Sequence, residues 1–118
     1  MMKEFIRAAQ ALSDETRVRI ICLLLQRECC VCEVMQAMDI SQTRASRNLK
    51  ILNDAGFLDM RPEGLFTLYS IKTRFTRPFY GYLLDAAKSI AAGTAVTSRD
   101  AKKLKNAKRV GVKACCSK

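Results

Sequence analysis

Histidine is absent from this 118-residue chain. Its absence removes imidazole as a metal ligand, excludes a Cys/His zinc finger and leaves no histidine to act as a catalytic base. There is no glycine-rich phosphate loop, and Cys22 and Arg27 stand one residue too close for a Cys-x5-Arg phosphate-binding loop. These gaps argue against an enzyme. Long apolar runs are also missing: the longest, Ile20 to Leu25, is far too short to span a bilayer. Met1 to Leu12 is amphipathic and has no apolar signal core. The expectation is a cytoplasmic protein with no membrane partner.

Acidic residues thin out toward the C-terminus. From Arg99 to Lys118 there are eight Lys or Arg and one Asp, whereas residues 1 to 98 hold thirteen basic and ten acidic residues. The net charge of +10 favours a polyanionic partner, and nucleic acid is the commonest one for a small basic protein. Six cysteines in a reducing compartment read as ligands, redox sensors or passive thiols rather than as a disulfide framework. A chain of this length makes one small domain that leans on a partner surface for part of its stability.

Periodicity supplies the elements. Phe5, Ile6, Ala9 and Leu12 recur at helical spacing, predicting a first helix over Lys3 to Leu12. Ser13 and Asp14 offer capping oxygens for a second, Glu15 to Gln26, which is apolar nearly all round and therefore central, with Cys22 as a small core residue. A third helix spans Cys30 to Met38, and Asp39-Ile40-Ser41 breaks it. Ser41 caps a fourth, Gln42 to Ala55, closed by Gly56. Its apolar positions Ala45, Leu49 and Leu52 leave Ser41, Gln42, Thr43, Arg44, Ser46, Arg47 and Lys50 as the candidate surface for double-stranded DNA. Two short helices across a three-residue break, the second carrying amide and basic groups at its start, form a helix-turn-helix pattern.

The next segment fits a wing. Phe57 to Arg61 and Leu65 to Ile71 flank Pro62-Glu63-Gly64, which predicts a β-hairpin. A last helix follows, Pro78 to Ala92, with Phe79, Leu83, Ala86, Ala87 and Ile90 as an apolar stripe. The fold class is mainly α with one small hairpin, in the order α-α-α-α-β-β-α. Residues 1–93 are read as the DNA-binding and dimerisation domain. Residues 94–118 are read as a basic, mobile tail, because they offer few apolar groups to bury.

Four motifs in order, Leu12-Ser13-Asp14-Glu15-Thr16-Arg17-Val18-Arg19-Ile20, Cys30-Val31-Cys32-Glu33-Val34, Ser41-Gln42-Thr43-Arg44-Ala45-Ser46-Arg47-Asn48-Leu49 and Asp54-Ala55-Gly56-Phe57-Leu58, resemble the ArsR/SmtB winged-helix metalloregulators, in particular the arsenic-responsive repressors. The resemblance covers about residues 3 to 92. It implies a homodimer paired through the first and last helices, with Phe5, Ile6, Ala9, Phe79, Leu83, Ala86 and Ile90 at the interface. It also implies a repressor of a resistance operon that an inducer lifts from operator DNA. The chain departs from the pattern at Met35, where the plasmid-type arsenic repressors carry a third Cys, at Leu65, where relatives often have Arg after the turn glycine, and at Asn48, where many have His.

The thiols point to a soft ligand. As(III) and Sb(III) are pyramidal centres that take three sulfurs, and thiolates are the softest donors a protein has. Cys30 and Cys32 are the candidate pair; Cys29 is the expected third ligand by proximity, with Cys115 or Cys116 as the alternative. A helix N-terminus favours thiolate, and Glu28 and Glu33 oppose it. Residues two apart in an α-helix point to nearly opposite sides, so Cys30 and Cys32 cannot share one centre unless the first turn of the third helix is unwound or bent. That unwinding would carry the signal to DNA. A redox or sulfur sensor, a cadmium or lead sensor, and a basic architectural DNA-binding protein with passive cysteines remain alternatives.

Overall fold

The computed structural model describes residues 1–109. Within them the elements run α1 (Met2–Ala11), α2 (Glu15–Gln26), α3 (Val31–Met38), α4 (Gln42–Asp54), β1 (Leu58–Glu63), β2 (Phe66–Ile71), α5 (Phe79–Gly93) and α6 (Ala95–Asn106). Capping chemistry sets several boundaries. Asp14 accepts a hydrogen bond from the Arg17 amide at 3.1 Å and starts α2, and Ser41 accepts one from the Arg44 amide at 3.2 Å and starts α4. Between α3 and α4, Asp39 adopts a left-handed φ of 55°, a conformation that short polar side chains tolerate. This kink turns the chain and sets the two helices of the helix-turn-helix against each other.

Gly56 closes α4 with a φ of 97°, and two constraints require glycine there. The backbone is left-handed, and a Cβ would sit 2.4 Å from the Tyr80 hydroxyl. That hydroxyl donates to the Ala55 carbonyl at 2.7 Å. The Tyr80 ring meets Phe57 edge-on at 5.1 Å and stacks on Phe75 at 4.8 Å. The end of α4, the hairpin and α5 are thereby held at one aromatic cluster. Around it Ile20, Ile21 and Leu23 of α2, Val34 of α3, Leu49 and Leu52 of α4, and Leu58 and Leu68 of the hairpin are fully buried. As expected for a helix apolar on all sides, α2 is the centre of the core.

The hairpin differs in detail from its expected form. Register runs from Leu58 opposite Ile71 to Glu63 opposite Phe66, so the loop is Gly64-Leu65 alone. Gly64, at φ 61°, takes the first position of a two-residue turn in the manner of a type II′ loop. Pro62 and Glu63 lie in β1 rather than in the turn. A two-stranded sheet has only edge strands, where proline is tolerated.

The larger correction concerns the tail. Folded structure continues beyond Gly93: residues 95 to 106 form α6, which packs on α2, α3 and α5, so α5 is not the last helix. Hydropathy gave no sign of this, because polar groups do much of the docking. Asp100, 2 % exposed, receives both Nε and Nη2 of Arg19 at 2.8 and 2.9 Å. The Arg27 guanidinium donates to the Leu104 carbonyl at 3.1 Å, and buried Leu104 is the main apolar anchor. The rest of the expected tail, including Cys115 and Cys116, lies outside the described residues.

Removing one partner of a buried, bidentate pair strands the other charge. Asp100→Ala is therefore expected to cost about 3 kcal/mol of stability, and Arg19→Met/Asp100→Leu to recover most of it, read as urea midpoints. An Asp100→Ala midpoint equal to wild type would show that the pair does not hold α6.

Candidate thiol site and nucleic-acid interface

Cys30 is not in the helix. It is the N-cap of α3, with extended backbone at φ −88° and ψ 171°, and this changes the geometry of the pair. An N-cap side chain leans over the first turn, and the Cys30 and Cys32 sulfurs lie 2.9 Å apart. The expectation that the first turn must unwind before the two thiols can share a centre is thus overturned. Both are reduced and buried, at 2 % and 1 % exposure. They border a cleft of about 210 Å³ whose other wall is the wing: Leu65, Phe66, Thr67 and Tyr69.

Cys29 is placed elsewhere. Its amide and carbonyl form a one-residue antiparallel bridge with Tyr69 at 3.0 and 2.8 Å, tying the α2–α3 loop to the wing. Its sulfur approaches the Arg27 carbonyl at 3.5 Å. Among the described residues no three Cys, Asp or Glu side chains are gathered to hold a metal ion. Cys22 packs on the Ala87 carbonyl of α5, and Met35 is a buried core residue.

Burial decides the state of these thiols. Desolvation, with Glu33 nearby, pushes Cys29 up to about 12. Desolvation and the bond with Cys32 push Cys30 up to about 12 as well, against the opposing Glu33 amide. The expected gain of thiolate at the helix N-terminus is outweighed, and both are neutral at physiological pH.

Glu33 organises the surroundings. Only 2 % exposed, its carboxylate accepts from the Cys30 amide at 3.0 Å, Arg27 at 2.6 Å and Arg109 at 3.1 Å. Burial would raise this carboxyl, but the amide and two guanidiniums outweigh it and hold it below the usual carboxylate range. Arg109 also reaches Glu63 at the wing tip, at 3.6 Å. Neither residue's role was visible from sequence, since Glu33 read only as a charge opposing thiolate.

On α4, Gln42, Thr43, Arg44, Arg47 and Lys50 are exposed together with Ser41, while Ser46 is half-buried. Arg44 turns back to donate to the buried Thr16 hydroxyl at 2.8 Å, and Lys50 pairs with Asp54 at 3.1 Å. Asn48 is buried between Arg17 and the Arg44 carbonyl. On the wing, Arg61 is held by Glu28 and Leu65 is fully exposed. Of the expected interface residues, Phe5, Ile6, Ala86 and Ile90 are exposed and Ala9, Phe79 and Leu83 half-buried. Phe5 packs edge-on to Phe79 at 5.3 Å, which joins α1 and α5 into one apolar face.

A depressed carboxyl adds stability that is fully present above its unfolded value and is lost as pH falls through its folded value. Glu33→Gln is expected to lower stability by about 2 kcal/mol at pH 7, below the full cost of a buried pair because both arginines are part-exposed. The gap from wild type should narrow below the usual carboxylate range; a gap constant from pH 7 to 3 would remove Glu33 as the charged hub.

Comparison with known proteins agrees with this architecture. Residues 14–59 match the sequence family described as bacterial regulatory protein, arsR family. The cadmium resistance transcriptional regulatory protein CadC homolog of Staphylococcus aureus is 41 % identical over 63 residues, 52 % of each chain. The arsenical resistance operon repressor of Escherichia coli (strain K12) is 39 % identical over 67 residues, 56 % of this chain and 57 % of that one. The chain thus spans about half the length of these curated relatives. A homodimeric winged helix-turn-helix DNA-binding domain from Mycobacterium bovis, described as a possible ArsR-family transcriptional regulator, superposes with a TM-score of 0.64 at 26 % identity, over 80 % of this chain and 83 % of that one. With its helix-turn-helix and wing in register, the chain has the winged helix-turn-helix fold, and its residues 14–59 match the arsR family of bacterial regulatory proteins.

Proposed function

We propose that this chain is a repressor that binds operator DNA as a homodimer and releases it when its cysteines take up As(III) or Sb(III). The observation that carries the reading is the Cys30–Cys32 pair, its sulfurs in contact at 2.9 Å and set between α3 and the wing. The all-sulfur character of the pair suits a soft centre. The exposed face of α4 suits a major groove, and the joined apolar face of α1 and α5 suits a second copy.

The neutral state of Cys30 favours a metalloid over a divalent cation. Arsenous acid exchanges three hydroxides for three thiols with release of three waters, so neither net charge nor protons enter the balance. A divalent cation must instead expel one proton per thiol ligated, and it does so against burial that holds Cys30 near 12. The same burial slows oxidation, because the thiolate is the reactive form.

Release follows from what the pair is attached to. Cys30 caps α3, and its neighbour Cys29 is bridged to Tyr69 of the wing. Cys30 and Cys32 must trade their mutual contact for bonds to a shared centre, and that shift displaces the cap and pulls on the bridge. Two sites joined in this way need only about 1–3 kcal/mol of coupling to change DNA affinity 5- to 150-fold.

Cys30→Ser and Cys32→Ser are expected to bind operator as wild type does and to lose release by As(III); normal release titrations for both would defeat the assignment. Across pH 6 to 8, As(III) affinity should be nearly flat, whereas Cd(II) affinity should rise by one to two powers of ten per pH unit, the slope giving the protons released. A flat Cd(II) profile beside a steep As(III) one would favour a cadmium sensor, the activity in the name of the Staphylococcus aureus relative. For DNA, Arg47→Ala is expected to cost about 1–3 kcal/mol and to relax preference at particular base pairs, measured on operator and random duplexes. Equal losses on both would make Arg47 a phosphate contact.

A further inference from the structure

The wing is not cationic by itself. From Leu58 to Ile71 it holds one basic residue, Arg61, against Asp59 and Glu63, and Arg61 is already engaged by Glu28 and Glu63. The surface of α6 is the opposite case. Its one acidic residue, Asp100, is buried on Arg19, while Arg99, Lys102, Lys103 and Lys105 are exposed and none of the four is paired with a carboxylate among the described residues. Exposed Lys108 continues the row past the helix end. No Asp or Glu follows Asp100 in the sequence. The chain leaving α6 is tied to the wing, because the Gln36 side chain donates to the Lys108 carbonyl at 2.6 Å and accepts from its amide at 3.0 Å, and Arg109 reaches Glu63 at 3.6 Å. The cationic face therefore adjoins the wing tip.

We infer that the exposed face of α6 is a further DNA-contacting surface, which holds phosphates flanking the site read by α4 and supplies the cations that the wing lacks. The inference rests on the DNA-binding reading above and adds to it an element outside both the helix-turn-helix and the wing. Arg99, Lys102 and Lys103 stand three and four apart, so they repel one another along one side of the helix. A polyanion removes that repulsion. Complementing the helix dipole would account for Lys103 and Lys105 in the last turn, but it leaves Arg99 and Lys102 without a role. The row is also rigidly presented: Asp100 on Arg19 and the Leu104 carbonyl on Arg27 dock the opposite side of α6 on α2, so little ordering entropy opposes binding. A helix of 12 residues is about 18 Å long, enough to follow roughly five phosphates of one strand. Lysines act there as point charges on phosphate and read no bases.

The test uses full-length protein and a duplex that the wild type selects from a random pool, in a short form holding only the half-sites and a form extended by about two helical turns on each side. Affinities are measured across a salt series. Arg99→Gln/Lys102→Gln/Lys103→Gln/Lys105→Gln removes the charge with residues of similar helix propensity, and circular dichroism and urea midpoints check that α6 is kept. Wild type is expected to gain affinity from the extension. The fourfold variant should gain none, its log-log salt slope on the extended duplex lower by about 2 to 3 and its binding at least about tenfold weaker near 0.1 M salt. Lys102→Arg/Lys103→Arg/Lys105→Arg should behave as wild type. If the fourfold variant loses helix, Arg99→Gln/Lys102→Gln and Lys103→Gln/Lys105→Gln each carry about half of the expected change in slope. Equal slopes for wild type and the folded variants would overturn the inference and leave the DNA-binding reading intact, whereas a wild type that binds no duplex would defeat that reading itself. Equal slopes with loss of binding to vesicles containing phosphatidylserine would overturn the inference in favour of a membrane surface.

Discussion

Much of the molecule is organised by one buried carboxylate. Glu33 is sunk at the start of α3, where an unpaired charge would cost several kcal/mol, and it is tolerated because three donors from different parts of the chain converge on it. The Cys30 amide fixes the N-cap, Arg27 fixes the end of α2, and Arg109 fixes the chain after α6. Arg109 continues to Glu63, so the wing tip joins the same network. Each of these contacts sets a boundary of the thiol site. The hub therefore does for this corner of the protein what the Tyr80 cluster does for the other end of the wing.

The hub also explains how Cys30 is brought to Cys32. Capping by Glu33 holds Cys30 in extended backbone, and that conformation lets its sulfur meet that of Cys32 across the first turn. Burial, with a smaller contribution from the same negative charge, raises Cys29 and Cys30. On the reading proposed above, a site built this way suits a neutral acid that carries its own hydroxide leaving groups better than a free cation. Preorganisation comes from the placement of one side chain, and protonation mainly from the burial that surrounds it.

Local chemistry was legible in the sequence wherever one residue type decides the outcome. Asp14 and Ser41 cap, Gly56 closes α4, α2 is apolar all round and central, and the hairpin follows the recognition helix. What escaped were features made by pairs far apart in the chain. Arg19 and Asp100 are 81 positions apart, and no periodicity marks α6 as docked when its main anchor is an ion pair. A one-residue bridge such as Cys29 with Tyr69 has no alternation to detect. Treating Cys30 as the first helical residue, rather than as the cap, reversed the geometry of the pair, since a one-residue change at a helix end decides whether two side chains oppose or meet. On α4 the outward residues were identified from the apolar stripe, but the return of Arg44 to Thr16 was not, because it depends on how α4 crosses α2.

The mechanical contrast between the two neighbours of the thiol pair indicates which of them moves. Toward α4, the face of α3 is closed by Val34, Ala37 and Met38 against Ala45 and Leu49, all buried, and close-packed interiors of this kind deform little. Toward the wing, the pair meets a two-stranded hairpin, which is marginal by itself, held near its middle by the exposed Arg61–Glu28 pair and the Cys29 bridge and at its tip by Arg109 on Glu63. A displacement at Cys30 therefore reaches the wing with less resistance than it reaches the recognition helix. Leu65, fully exposed at the tip, supplies no cation there. On the repressor reading proposed above, a displaced wing weakens binding because it brings Glu63 and the network behind it into a new position relative to a polyanion.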